Sequence, residues 1–266
     1  ESSKPSIGLE WARRLLVIEK LHPELHALIG VPQEPEWHPE GDVWTHTHMV
    51  ADAAADIIRR EKLGYDQALI IMLSSLLHDV GKADTTAYQP NKKGDLAWRS
   101  LEHSEAGVKP AAAFLSRLRF PDIDAKVLTS KILPLIREHL WPGLNPNPTD
   151  KAVRRLAKRL QPASIYELVM VAEADHRGRA LPWHGYPPAA ALLAQAQRLR
   201  VEYEPPKRLV TGNPLLERGY KSGKHIGEAL EYAYDAQLAG TITTHEEALA
   251  LAIEHLTKNG QTPSGV

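Results

Sequence analysis

Along most of the chain, apolar residues recur every three or four positions, the spacing of a helix with one buried face. Leu9 to Leu21 carries such a stripe, with Arg13, Arg14 and Lys20 on the other side. The stretch GVPQEPEWHPEGDVW is dense in proline and glycine and reads as a loop. Asp42 stands at its end in an N-cap position, so a long helix is expected over 43–62. LGYDQALIIMLSSLLHD follows, nearly all apolar in its centre, and predicts a second helix buried on most sides. Further helices are expected over 103–118, 122–139, 149–160, 164–176 and 188–202. The polar, glycine-containing stretch 82–98 and the WHGYPP segment read as loops between them. Pro205-Pro206 marks a break, beyond which two or three short helices are expected. There is no internal repeat, low-complexity tract or useful strand alternation. The expected fold class is all-α, with a helical core over 1–204 and a small appended C-terminal helical unit over 205–266.

Composition narrows the chemistry more than the fold. With 266 residues, 43% hydrophobic and 24% charged, the chain is long enough to bury a substantial core. A net charge of −1 supplies no field that would draw it to a nucleic-acid backbone or an anionic membrane. The absence of cysteine removes disulfides, zinc–thiolate sites and thiol nucleophiles together, so any metal must be held by imidazole and carboxylate. No apolar run approaches the roughly 18 residues of a membrane span. ESSKPSIGLEWARRLL lacks the basic start and apolar stretch of a signal peptide. A soluble, cytoplasmic protein with no membrane partner is the expectation.

Thirteen histidines are a high count, but their placement matters more. His46 falls in the first turns of the long helix, and His78-Asp79 ends the apolar one. His103 opens a helix, His139 ends one, and Asp175 lies near the end of another. Side chains at helix ends can converge from different helices on one point. Four imidazoles and two carboxylates suit a pair of first-row transition ions, with a carboxylate able to bridge them. His48 lies about 200° round the helix from His46 and should face away. His176, next to Asp175, is expected beside the site or at the surface.

Four blocks occur in order: GVPQEPEWHPEGDVWTHT, LLHDVGKADTT, EHSEAGVKPAAAFLSRLRFP and EADHRGR. Together they resemble the HD-domain superfamily of metal-dependent phosphohydrolases. The resemblance extends to the HD region that follows the catalytic head of bacterial CCA-adding tRNA nucleotidyltransferases, and GYKSGKHIGEALEYAYDAQLAG resembles the tail of those enzymes. It covers roughly residues 28–240 and implies that His46, His78, Asp79 and Asp175 are the mononuclear ligand set. His103 and His139 match the additional ligands of binuclear members, with phosphate contact as their alternative role. If both bind metal, Asp79 is the natural bridge. Lys82 resembles the lysine of HD-x-G-K sequences, whose ammonium would neutralise a phosphate oxygen, and Gly81 would provide a sharp turn before it. Arg177 and Arg179 are candidate guanidinium forks for phosphate, with Arg99 and Thr86 proposed on the same logic. His38, Glu40 and Asp42 are expected to line the cleft, Asp42 serving equally well as an N-cap.

The departures are as informative. No Gly-Ser-x-x-x-Arg followed by Asp-x-Asp precedes the HD blocks, and Asp122-Ile123-Asp124 matches only by letters. The chain is therefore not expected to add CCA. GYKSGKH is not a phosphate-binding P-loop, since its glycine spacing is short and His225 stands where Ser or Thr is needed.

The resemblance implies a hydrolase that attacks a nucleotide phosphoester with metal-activated water, Asp79 and Lys82 carrying the chemistry. A 2′,3′-cyclic nucleotide phosphodiesterase, 2′-nucleotidase or phosphatase activity is expected. The cofactor would be one or two divalent ions of Mn, Fe, Co or Ni. The partner would be a small phosphoester or nucleotide, or an RNA 3′ end. Two other classes compete: an HD-type di-iron oxygenase cleaving a C–C or C–P bond, and a non-enzymatic RNA- or partner-binding module, against which the near-zero net charge counts.

Overall fold

The computed structural model describes residues 2–120 and 123–263. Position 122, at the expected start of one helix, lies outside the described residues, as do both ends of the expected two-part division. The architecture is helical, with one small two-stranded sheet among the described residues. The longer helices are α1 (Pro5–Arg14), α2 (Val43–Arg60), α3 (Tyr65–Leu77), α4 (Val108–Arg117), α5 (Ala125–Glu138) and α6 (Asp150–Leu160). They continue as α7 (Ile165–Arg177), α8 (Pro187–Leu199), α9 (Lys224–Ala239) and α10 (His245–Lys258), with one-turn helices between them.

The helix starts follow local chemistry. Asp42 caps α2 by accepting from the Thr45 amide through Oδ1 at 2.9 Å, while its Oδ2 accepts from the Gly30 amide at 2.7 Å and pins the preceding loop. Thr149 caps α6, and Ser164 with Glu167 forms a reciprocal capping box at α7. The apolar helix α3 is central: it packs against α2, α5 and α7. Ile71 and Leu77 are fully enclosed there. Each such side chain contributes about 1.5–3 kcal/mol on burial, so α3 anchors the bundle, and the residues just beyond its C-terminal end are carried into the interior.

A second, separate apolar cluster joins residues 210–256, including Leu215, Ile226, Ala233 and Leu256. Helices α9 and α10 form most of it, and α9 leans on α6. Lys158 of α6 meets Glu231 at 2.7 Å and Asp235 at 3.2 Å there.

Three local expectations are corrected. The helix over 9–21 breaks where Leu16 adopts a left-handed φ of 60°, and resumes at Val17–Leu21. The helix over 103–118 is two pieces, His103–Ala106 and α4, divided at Gly107. The supposed loop 82–98 holds a one-turn helix, Lys82–Thr85, and most of an antiparallel hairpin, β1 (Thr86–Pro90) and β2 (Leu96–Ser100). The hairpin turn is closed by Asn91, whose Oδ1 accepts from the Lys93 and Asp95 amides, and by Gly94 at φ +91°. Tyr88 and Trp98 pair across the strands, but too few apolar positions surround them to print an alternation. Among the described residues, no helix is long and apolar enough to cross a membrane.

Candidate metal centre

The bundle brings His46, His78, Asp79, His103, His139 and Asp175 into one buried cluster. His46 sits one turn into α2, His78-Asp79 follow the last residue of α3, His139 follows α5, and Asp175 lies in the last turn of α7. His103 opens the one-turn helix after β2. All six are at most 7% exposed.

Each imidazole is fixed through Nδ1. His78, His103 and His139 donate from Nδ1 to the carbonyl three residues upstream, of Ser75 at 2.8 Å, Ser100 at 2.7 Å and Ile136 at 2.7 Å. A carbonyl only accepts, so Nδ1 carries the hydrogen and the neutral ring presents the Nε2 lone pair inward. His46 uses a carboxylate instead: its Nδ1 lies 2.8 Å from Glu40 Oε1, which also meets His38 Nδ1 at 2.8 Å. The other Glu40 oxygen accepts from the Ala180 amide at 3.1 Å.

The four Nε2 atoms surround the two carboxylates. Asp79 Oδ2 lies 3.1 Å from His78 Nε2 and 3.8 Å from His46 Nε2, whereas Oδ1 lies 3.1 Å from His103 Nε2 and 3.8 Å from His139 Nε2. Asp175 Oδ1 joins the first group, 3.1 Å from His46 Nε2 and 3.8 Å from His78 Nε2. One carboxylate thus turns a different oxygen to each pair of rings.

The donor set fits a cation on its own geometry. His78 Nε2, His103 Nε2 and Asp79 Oδ2 are buried without a hydrogen bond of normal geometry. Leaving such a buried atom unsatisfied costs about 1–3 kcal/mol. With the hydrogens on Nδ1, the 3.1 Å contacts of His78 and His103 with Asp79 set acceptor against acceptor, and a cation between them would relieve it. Burial pushes His139 down to about 3, so that ring is neutral at ordinary pH, as a ligand must be. Burial alone would raise the Asp79 carboxyl, but the Lys82 ammonium beside it holds it well below the usual carboxylate range. Asp175 is likewise held low against burial, with the Arg179 guanidinium on its Oδ2 side. Four sets of three donor atoms lie within 4.8 Å of one another among the described residues: His38–Glu40–His46, His46–His78–Asp79, Asp79–His103–His139 and His78–His139–Asp175, the last taking a ring from each side of Asp79.

A cleft of about 250 Å³ opens onto this cluster, lined by Gln33, Trp37, His38, Lys82, Trp98 and Arg179 among others. Lys82 is drawn inward: its Nζ lies 2.7 Å from Asp79 Oδ2 and donates to Gln33 Oε1 at 2.8 Å. Arg179 Nη2 lies 3.8 Å from Asp175 Oδ2. His38 meets the His46 ring edge-on at 4.7 Å.

Other sequence candidates do not reach the cleft. Arg177 is two residues from Asp175, about 200° round the helix, and its Nη2 donates to Asp56 at 3.2 Å. Arg179, four residues on, returns to the Asp175 side. Arg99 alternates away from Trp98 and Ser100 on β2 and donates to the Pro90 carbonyl at 2.8 Å. The Thr86 hydroxyl is engaged with the Lys82 carbonyl at 2.8 Å and Ser100 Oγ at 2.7 Å. His48 packs on Trp44 and His176 stacks on Tyr186, both off the cluster as expected. Asp42 is the N-cap.

Gly81 is also corrected. Its φ of −71° and ψ of −13° suit any residue, so no special turn is made there. A Cβ at Gly81 would stand 2.1 Å from the His103 carbonyl oxygen and 2.5 Å from the Gly107 nitrogen. The glycine serves close approach, bringing the His103 segment against Asp79. The sequence points to Glu40 as a cleft residue but not as the partner of His46 Nδ1, and it carries no signal for Gln33.

The region that holds the cluster also resembles known proteins. The HD domain family model matches residues 43–177, from the first residue of α2 to the last of α7, a span holding all six clustered residues. The multifunctional CCA protein of Xanthomonas campestris pv. campestris is 35% identical over 183 residues, 67% of this chain and 40% of that protein. That of Xanthomonas oryzae pv. oryzae is 33% identical over 248 residues, 91% of this chain and 54% of the relative. That of Cupriavidus metallidurans is 34% identical over 197 residues, 72% and 43% respectively. The chain therefore spans about half the length of these curated relatives. No solved structure matches it.

Proposed function

Because the chain belongs to the HD domain family of metal-dependent phosphohydrolases, we propose that it hydrolyses a nucleotide phosphoester, as a 2′,3′-cyclic phosphodiesterase, 2′-nucleotidase or phosphatase. The observation that carries this reading is the division of Asp79, with Oδ2 among His46, His78 and Asp175 and Oδ1 between His103 and His139. In this reading His46, His78, Asp79 and Asp175 would hold one divalent ion, and His103 and His139 with Asp79 would hold a second. Bound there, divalent ions supply an acidified water and a Lewis acid for a phosphoryl oxygen. Mn, Fe, Co and Ni all suit imidazole and carboxylate donors.

The chain's own residues do the rest. Glu40 orients His46 through Nδ1, and three backbone carbonyls orient the other rings. Lys82 balances the Asp79 charge at the cleft floor and stands ready to pair with a phosphate oxygen. Arg179 offers a second cation at the rim, where its Nε is buried without a partner. The likeness to multifunctional CCA proteins favours a substrate related to an RNA 3′ end, of which a 2′,3′-cyclic nucleotide is a small representative. Residues 1–204 would then form the catalytic unit and 205–266 a helical appendage with its own core.

The test is metal content per chain by elemental analysis, combined with a screen of cyclic nucleotides and phosphomonoesters under each added ion. Two ions and turnover under argon are expected. One ion would move His103 and His139 to substrate contact. Dioxygen uptake by iron-loaded protein without hydrolysis would replace the hydrolase with a di-iron oxygenase, and neither ion nor turnover would leave a binding module.

A further inference from the structure

Exposed aromatic rings are scattered over the surface, and Trp11, Trp183 and Tyr65 need no special explanation. Trp37 and Trp98 differ in where they stand. Both line the cleft over the six-residue cluster, beside Lys82, His103 and Arg179, yet they are 56% and 37% exposed. One residue ties both of them down. The Trp37 amide donates to the Glu34 carbonyl at 3.1 Å, and the Trp98 amide donates to Glu34 Oε2 at 3.1 Å. Tyr88 braces the Trp98 indole across the hairpin, with ring centroids 5.1 Å apart and planes tilted by 51°. Two indoles are thus left in water at the rim of a polar, cationic cleft on fixed backbone.

Nothing in the core gains from that exposure, whereas a flat π-system entering the cleft does. Stacking of a nucleobase on an aromatic side chain contributes about 1–3 kcal/mol and tolerates any base, since every base has a π-face. Gln33 has both ends engaged, its Oε1 by Lys82 at 2.8 Å and its Nε2 by the Gly41 carbonyl at 3.3 Å. The cleft volume of about 250 Å³ lies just under the roughly 300–1,000 Å³ of drug-sized sites, a scale for a single nucleoside unit.

We propose that Trp37 and Trp98 form a base-stacking platform, so that the substrate class is a phosphoester carrying a nucleobase, without preference among the four bases. The proposal rests on the phosphoester reading of the same cleft, Lys82 and Arg179 taking the phosphate end.

The experiment compares adenosine 2′-monophosphate with ribose 5-phosphate by calorimetric titration of the full chain with metal chelated. The nucleotide should bind at least about five- to tenfold more tightly, the lower part of what one stacked base contributes. That ratio should collapse in Trp37→Ala and Trp98→Ala and return in Trp37→Phe and Trp98→Phe. The guanosine, cytidine and uridine analogues should bind within about threefold of adenosine. Should an alanine variant fail to fold, the wild-type indole N–H resonances decide: those of Trp37 and Trp98 should shift with the nucleotide and stay still with ribose phosphate. An unchanged ratio in the alanine variants, or unmoved resonances, overturns the platform even if phosphoesters are hydrolysed. A collapsing ratio in a protein that hydrolyses no phosphoester under any ion keeps the platform and overturns the hydrolase.

Discussion

The two sides of Asp79 are built by different means. On its Oδ2 side, His46, His78 and Asp175 belong to long helices, or follow them directly, and inherit their positions from the packing of α2, α3 and α7. On its Oδ1 side, His139 follows the long helix α5 in the same way, but His103 rides on a four-residue helix at the foot of a polar hairpin, held against Asp79 by the Gly81–Gly107 approach. A core-packed position resists change because many buried contacts define it. A position set by one close backbone approach, as at His103, depends on a single missing methyl group. Substitutions should therefore separate the two.

The largest effect is expected where both sides meet. Asp79→Asn should abolish ion binding and lower phosphoester turnover by about 10²–10⁴-fold, the equivalent of the ~3–5 kcal/mol lost when one member of a buried charge set is removed. Elemental analysis with steady-state kinetics checks it, and retained turnover would refute the shared role. His46→Gln and His103→Gln split the pair: the first should lose the ion on the helix side, and the second should retain one ion per chain. Equal ion counts in the two variants would remove the distinction. Glu40→Gln touches no proposed ligand atom, yet frees His46 Nδ1 from its carboxylate. A loss of about 10–100-fold in affinity for the helix-side ion is expected, read by competition with a chelator. Gly81→Ala should lower stability by about 1–3 kcal/mol through overpacking and copy the ion count of His103→Gln, as thermal unfolding and metal analysis would report. Smallest of all, Arg99→Ala and Arg177→Ala should leave turnover within about twofold and stability within about 0.5 kcal/mol, since their guanidinium groups engage Pro90 and Asp56 instead of the cleft.

The same contrast marks what was legible before any coordinates. The helix side could be read almost whole: Asp42 announces the start of α2, the apolar run announces α3, and a three- to four-residue period announces α7. Residues at the ends of such helices can be placed without knowing how the helices pack. On the other side, His139 is equally legible as the end of a predicted helix, whereas His103 is legible as a residue type only. His103 stood out as a histidine, but the hairpin that presents it has few apolar positions, and periodicity reports burial. Gly81 looked like a turn residue because sequence cannot distinguish a glycine chosen for its φ from one chosen for its missing Cβ. Arg177 and Arg179 read alike as basic residues after Asp175, and only the helical step of about 100° per residue separates them. Trp37 and Trp98 lie 61 positions apart and line one rim, each with its amide bonded to Glu34.

The contact between His46 and Asp175 spans 129 positions of chain, whereas His46 and Asp79 are 33 apart (79 − 46). Closing the longer loop costs about two further doublings of length, ~1 kcal/mol of chain entropy, and such distant pairings are made late in folding. The cluster therefore has an expected order of assembly. The α2–α3 pair brings His46, His78 and Asp79 together first, and α7 delivers the second carboxylate afterwards. A nascent chain would hold a partial, singly acidic pocket until α7 docks, so Asp175 acts as the closing piece of the site and its arrival marks the moment at which the fold becomes competent.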